Sequence, residues 1–461
     1  MPRYALLPFD NLTGNASLDW VARTAPGIAA IELGGTARAT ATVGDAYLDK
    51  ADHFVHGYFT ESGNTLRLTV EVEDASNHKM VEREQIDGPV LESVATLAKR
   101  LDPKAAPFST SNEAATAAWG QGEFEKAVTL DPQFGAAWLS WIEGLARLGK
   151  TADAVEVAGR ALRNPIKPEI DALRIELARA TLGKDTAAER AALMKLTAQL
   201  SDTRLLFNLA SIDVRAREFA LAEEDFKKLL AMEPENSDAL NQIGYVYGYE
   251  GKIAEAEAAF AQYRKLPSQE ANSYDSLGEV YFMNGKFGPA EKAFLRAQEL
   301  NPALTSGGDL RKAAYAHWLA GDLRGADEMF AKYLDFRARL HDPSLEWEHA
   351  NWEYATGRKD QAIARLKKLA SPQVALELRI WQEDLKLPAD LDRLKQSYDA
   401  AQPSTDGLFR TLYAEALLDR GDRKGAKKLA ARWPLPDSVG DPVLQSLVFP
   451  KYVALRRILG L

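Results

Sequence analysis

Residues 237–270 read SDALNQIGYVYGYEGKIAEAEAAFAQYRKLPSQE, and residues 271–304 read ANSYDSLGEVYFMNGKFGPAEKAFLRAQELNPAL. Laid one over the other, they match Gly244 with Gly278, Tyr247 with Tyr281, Gly251 with Gly285, Ala256 with Ala290 and Phe260 with Phe294. A proline lies near the end of each, at Pro267 and Pro302. Apolar residues three and four apart on both sides of a glycine turn predict two antiparallel helices that recur every 34 residues. Glycine in the first helix admits close approach of the second, and glycine in the turn takes φ > 0 without a Cβ penalty. The aromatic side chains fill the space between helices. Proline cannot continue a helix and so ends the unit.

The register runs outward in both directions. Gly-Lys recurs at Gly149-Lys150, Gly183-Lys184, Gly251-Lys252 and Gly285-Lys286, always at multiples of 34 residues. Alanine recurs at Ala154, Ala188, Ala222, Ala256 and Ala290, and phenylalanine at Phe226, Phe260 and Phe294. Earlier hairpins are expected at 135–168 (Trp138, Ile142, Leu145) and around Trp119, Gly122, Phe124 and Ala127. Downstream the spacing loosens to 36, with Gly321, Ala326 and Phe330, then Gly357 and Ala362. Degenerate hairpins follow at 373–402 and at 407–433, the latter with Gly421 and Ala426. The expectation is roughly nine hairpins from about 110 to 434. The apolar tail LVFPKYVALRRILGL reads as a final helix capping the exposed end, with partner binding or self-association as the alternative.

Gly144–Thr151, GLARLGKT, spells the phosphate-loop pattern of nucleotide hydrolases. Its setting contradicts that chemistry. Leu145 and Leu148 are three apart, as on a buried helical stripe, and WLSWIE before them is helical, whereas a phosphate loop follows a buried strand. A helix whose N–H groups are already paired has none left to cradle phosphate.

The first hundred residues have another rhythm. YALLPF (4–9), ARATATV (37–43), HFVHGYFT (53–60), TLRLTVEVE (65–73) and MVEREQI (80–86) are β-prone, with a turn expected at Glu61-Ser62-Gly63-Asn64. Leu66, Leu68, Val70 and Val72 alternate with polar residues, so one face is buried. Helices are expected at 18–32 and 88–101, which makes a small α+β domain.

Composition removes several classes of function. The 461 residues carry a formal net charge of −9 and no long basic run, which repels nucleic acid. The absence of cysteine excludes thiolate metal sites, disulfides and cysteine nucleophiles. Among the six histidines, His53 and His56 are expected on opposite faces of a strand, and no H-E-x-x-H occurs. No cofactor, metal or catalytic residue is assigned, and the chain is read as a non-enzyme. MPRYALLPFDNL is no signal peptide and no stretch has the length of a membrane span. The expectation is therefore a cytoplasmic protein that does not insert into a membrane, or a periplasmic one if the chain is a piece of a membrane-anchored protein.

The two quoted units resemble tetratricopeptide repeats. LLPFDNLTGNASLDWVA, with the hairpin FVHGYFTESGNTLRLTVEVEDASNHKMVE, resembles the small α/β domain related to the N-terminal domain of TolB. In bacteria that domain precedes repeat arrays in CadC-like regulators and in some adenylate cyclases and serine/threonine kinases. The resemblance implies a mainly α fold: a right-handed tetratricopeptide-type α-solenoid of helical hairpins preceded by a small α+β domain. The expected division is 1–105 for that domain, 110–434 for the solenoid and 435–461 for the capping tail. No kinase loop, cyclase or DNA-binding segment is found, so the chain reads as the sensory or scaffolding part of a bacterial regulatory system.

In such an array the first helix of each unit lines a concave groove for a protein or peptide partner. The second, fifth, ninth and twelfth or thirteenth positions face it. They are Arg204, Phe207, Ser211 and Arg215; Asp238, Asn241, Tyr245 and Tyr249; Asn272, Asp275, Glu279 and Phe282. The next unit adds Arg311, Tyr315 and Trp318, and Asn208 is placed to bond a peptide backbone. Aromatics among charges suit a peptide groove, since they give large contact area with one polar handle. Packing between helices or facing solvent is the competing role, and Trp318 leans to the core. The clamp that some relatives use for a terminal carboxylate is not reproduced. The alternative function is structural: self-assembly into oligomers or fibres through the solenoid ends and the apolar tail.

Overall fold

A computed structural model describes residues 3–33, 40–41, 51–62, 65–105, 107–369, 371–383, 390–437 and 442–461. The chain divides into two compact units, Met1–Leu205 and Leu206–Leu461.

The first unit opens with a sheet of order β3-β1-β4-β5-β6. Its strands are β1 (Tyr4–Leu6), β2 (Asp10–Asn11), β3 (Thr40–Ala41), β4 (His53–Ser62), β5 (Thr65–Asp74) and β6 (Lys79–Gly88). β1 pairs in parallel with β3 and β4, β2 pairs in parallel with β4, and β4, β5 and β6 form an antiparallel meander. Leu68, Val70 and Val72 turn inward as their alternation requires, against α1 (Asp19–Leu33) and α2 (Val90–Leu101). Gly63 and Asn64, placed in the expected turn, and most of 37–43 lie outside the described residues. His53 and His56 do leave β4 from opposite faces, yet both border one cleft of about 840 Å³ at the end of the sheet, with Glu73 and His78.

Hairpins follow: α3 (Glu113–Gly120) with α4 (Phe124–Leu130), α5 (Gly135–Arg147) with α6 (Thr151–Ala161), and α7 (Glu169–Leu182) with α8 (Thr186–Gln199). The phosphate-loop look-alike is the turn between α5 and α6. Gly149 N–H bonds Ala146 C=O at 2.9 Å and Lys150 N–H bonds Leu145 C=O at 3.0 Å, so these amides are taken.

The boundary falls in the first turn of α9 (Thr203–Arg215), which pairs with α10 (Phe219–Met232); α11 (Ser237–Glu250) and α12 (Ile253–Tyr263), and α13 (Glu270–Met283) and α14 (Phe287–Leu300), follow in the second unit. Then come α15 (Gly308–Leu319) and α16 (Leu323–Arg339), α17 (Leu345–Ala355) and α18 (Lys359–Leu366), α19 (Pro372–Glu383) and α20 (Leu391–Ala400), and α21 (Gly407–Asp419) and α22 (Arg423–Leu429). Ten hairpins are thus seen among the described residues, where roughly nine were expected. A last helix, α23 (Pro442–Leu459), closes the chain.

The repeat's chemistry is visible in the contacts. A Cβ on Gly244 would stand 2.5 Å from the Phe260 ring, and one on Gly278 would stand 2.6 Å from the Phe294 ring. Each phenylalanine is fully buried because its hairpin partner is glycine. Ala154, Ala222, Ala256, Ala290, Ala326, Ala362 and Ala426 are also fully buried. Ala188 departs from the series and is exposed. In that hairpin the left-handed turn residue is Lys184 (φ 57°), not Gly183, whereas Gly149, Gly251 and Gly285 take that role elsewhere. The one-residue slip moves Ala188 off the buried stripe, which in α8 consists of Ala192, Leu193 and Leu196.

The tail was expected as a cap on the exposed end. α23 does meet α21 and α22, but it also reaches back to α17 and α19. Leu447, Val448, Phe449, Tyr452, Leu455 and Leu459 are all buried.

Candidate functional site

One row of side chains runs along α11, α13 and α15, spaced by 34 residues from α11 to α13 and by 36 from α13 to α15. Tyr245 and Glu279 hold the same repeat position one unit apart, and the Tyr245 hydroxyl donates to Glu279 Oε2 at 2.6 Å. Lys312 on α15 then donates to Asp275 Oδ1 and Glu279 Oε1, both at 2.8 Å. Its side chain is only 4% exposed, so this is a buried ion triad. Burial pushes the Asp275 carboxyl up to about 7 against the pull of Lys312, and Asp309 beside it adds to the rise. Burial also raises the Asp309 and Glu279 carboxyls. On Lys312 burial pulls the other way, and the two acids outweigh it, so its ammonium is held well above the usual range. Arg311, one residue earlier, faces Glu348 of α17 at 3.8 Å.

This row carries an occupant. Residues Arg432–Asp437, RWPLPD, follow α22 as a non-helical run, as Pro434 and Pro436 demand: a bend at 432, no regular structure over 433–435 and a turn at 436–437. The Trp433 N–H donates to the C=O of Met283 at the end of α13, 2.9 Å away. Its indole meets Phe287 edge-on at 5.2 Å. Leu435 is 5% exposed, sunk in the apolar cluster that joins α9, α11 and α13. Asp437 pairs with Arg311 and, at 3.4 Å, with Lys312. The Arg432 guanidinium lies 4.5 Å from the centre of the Tyr249 ring. Beyond this run, Phe449 of α23 packs 4.8 Å from Tyr315 and 6.1 Å from Phe282.

A second knot secures the same cover. Arg217, at φ 62° in the turn after α9, donates to Asp406 Oδ2 and to the Tyr398 carbonyl, both at 3.0 Å. Arg410 and Arg432 share that carboxylate at 3.0 and 3.3 Å. The first hairpin of this unit is thereby tied to its last ones.

The sixteen residues expected on the groove fall into three groups. Tyr245, Tyr249, Asp275, Glu279, Phe282, Arg311 and Tyr315 come together under the cover just described. Trp318 sits between Tyr315 and Trp352, 6.1 and 6.0 Å away, in the aromatic core. The others lie apart from that ion triad, although Phe207 packs on the same apolar cluster as Leu435. Arg204, Asn208, Arg215 and Asp238 are exposed. Ser211 bonds the Phe207 carbonyl of its own helix, Phe207 packs on Phe226, Asn272 donates to Tyr263, and Asn241 is half-buried. Lys312, Trp433, Leu435, Asp437 and Phe449 were missed. The signal for the occupant was present in Pro434-Leu435-Pro436, a stretch that cannot be helical and lies between helical segments.

Among the described residues no group of three or more His, Asp or Glu side chains is arranged to hold a metal ion, and no helix is long and apolar enough to cross a membrane.

Residues 271–304 match the family described as tetratricopeptide repeat. No curated protein sequence matches the chain. Solved structures similar to it include MamA, at 18% identity with a TM-score of 0.33 over 38% of this chain and 94% of that one. Another is YrrB, described as a TPR protein with an unusual peptide-binding site, at 17% identity with a TM-score of 0.35 over 40% and 94%. A third is a tetratricopeptide repeat protein from Parabacteroides merdae, at 15% identity with a TM-score of 0.37 over 69% and 98%.

Proposed function

We propose that this protein is a non-catalytic scaffold that binds a non-helical peptide segment on the inner row of its helical repeats. The observation that carries the reading is the seating of Arg432–Asp437 on α11, α13 and α15. A backbone N–H, an aromatic anchor, a buried leucine and a carboxylate meet this surface in the way a bound peptide would. The small α+β domain serves as a second contact surface, and the chain as a sensory or scaffolding part of a bacterial regulatory system. Self-assembly through the tail has less support, because the apolar face of α23 is consumed within its own chain. Panning a random peptide library against the full chain tests the proposal. Selected peptides are expected to lose about tenfold in affinity on Arg311→Ala, as removal of a charged anchor does. Peptides indifferent to every inner-row substitution would place binding elsewhere and defeat it.

A further inference from the structure

The occupant also specifies what the groove accepts. Four features of Arg432–Asp437 are read by the repeats. Its backbone is non-helical, since prolines at 434 and 436 bar a helix and leave few donors, and the Trp433 N–H finds the carbonyl at the end of α13 before the chain turns at 436–437. Its aromatic ring meets Phe287 of the repeats at 5.2 Å, with Tyr452 of α23 on another side at 5.6 Å. Its single leucine fills the apolar floor. Its aspartate reaches the two cations of α15, with Glu348 and Glu279 as the neighbouring acids. That carboxylate belongs to a side chain, not a chain end, which fits a groove without a terminal-carboxylate clamp.

We propose that the surface formed by Tyr249, Met283, Phe287, Arg311 and Lys312 is a binding site for a partner bearing a non-helical aromatic–Pro–Leu–Pro–acid segment, and that Arg432–Asp437 is its resident competitor. The inference rests on the peptide-scaffold reading and adds to it the sequence class of the ligand and a built-in inhibition. A tethered segment acts at an effective concentration on the order of millimolar, so a partner binds only when it is tighter than the resident or the resident is displaced.

The test uses the full chain and a labelled, end-blocked peptide of sequence ARWPLPDS, residues 431–438. Fluorescence polarisation compares the native protein with the triple variant Trp433→Ala, Leu435→Ala, Asp437→Asn. The expected result is binding to the folded variant about tenfold or more tighter than to the native protein, as removal of a tethered competitor predicts. Adding Arg311→Ala, or changing the peptide's aspartate to asparagine, is expected to reverse most of that gain. Absence of binding to the folded variant overturns the proposal. Should circular dichroism show the variant unfolded, hydrogen exchange of the native protein decides. Faster exchange at Trp433 and Leu435 under excess peptide supports displacement, and unchanged exchange overturns it. Library-selected peptides of unrelated sequence that still depend on Arg311 would leave the scaffold reading standing while removing this one.

Discussion

α9 and α13 stand in the same register of the repeat, two units apart, and their inner rows meet different surroundings. On α9, Arg204, Asn208 and Arg215 project into solvent. On α13, Asp275 and Glu279 are locked to Lys312, and Phe282 is fully buried beneath Phe449. The repeat pattern determines which side chains face inward. What lies opposite them is set by a segment more than 100 residues away in sequence. An inner row left bare can carry isolated charges at no cost. A covered one must pair them, because an unpaired buried charge is expensive.

Substitutions on the two helices should separate accordingly. The largest loss is expected from Lys312→Met, which leaves Asp275 and Glu279 buried without their cation; about 4 kcal/mol of unfolding free energy should vanish in a urea titration. Phe449→Ala should cost about 3 kcal/mol by the same measurement, through the cavity left against Tyr315 and Phe282. A loss under about 0.5 kcal/mol would mean that α23 is only loosely seated and that α13 is as open as α9.

Gly278→Ala sets a methyl group against the Phe294 ring and should cost about 2 kcal/mol through overpacking. It measures the repeat itself, independent of the cover.

Acid–base behaviour gives a finer probe. Asp275 is held to about 7 in the folded chain, above its ordinary value of 3.8. The folded state therefore keeps a proton that the unfolded state releases, and stability present at low pH is lost as pH rises through that window. Asp275→Asn, facing Lys312 and Asp309 on α15 and Glu279 on its own helix, should flatten this decline in melting temperature between pH 4 and 7. An unchanged slope would show the cover to be wet.

The smallest effect belongs to α9. Arg204→Ala and Asn208→Ala should each shift stability by no more than about 0.5 kcal/mol, as exposed positions do. A larger change would reveal that α9 is covered too.

Much of the fold was legible because it is periodic. The Gly244–Phe260 and Gly278–Phe294 pairs, the positive-φ turn glycines and the inward Leu68, Val70 and Val72 follow from local spacing alone. Ala188 was misread because the left-handed turn moved from Gly183 to Lys184, a shift that the backbone makes and the alanine count does not reveal. The candidate site was legible only in half. Tyr245, Glu279 and Arg311 were found by register, while Lys312 was passed over because it falls one residue from the expected row.

The sequence by itself determined the helical hairpins and most of their turns, because a helix of 3.6 residues per turn and a 34-residue repeat convert spacing directly into direction. Only the tertiary structure decided which C-terminal side chains lie against α11, α13 and α15. Trp433, Leu435, Asp437 and Phe449 reach these helices through contacts spanning more than 120 residues, and such contacts depend on where a whole array of hairpins brings its ends, not on any local pattern.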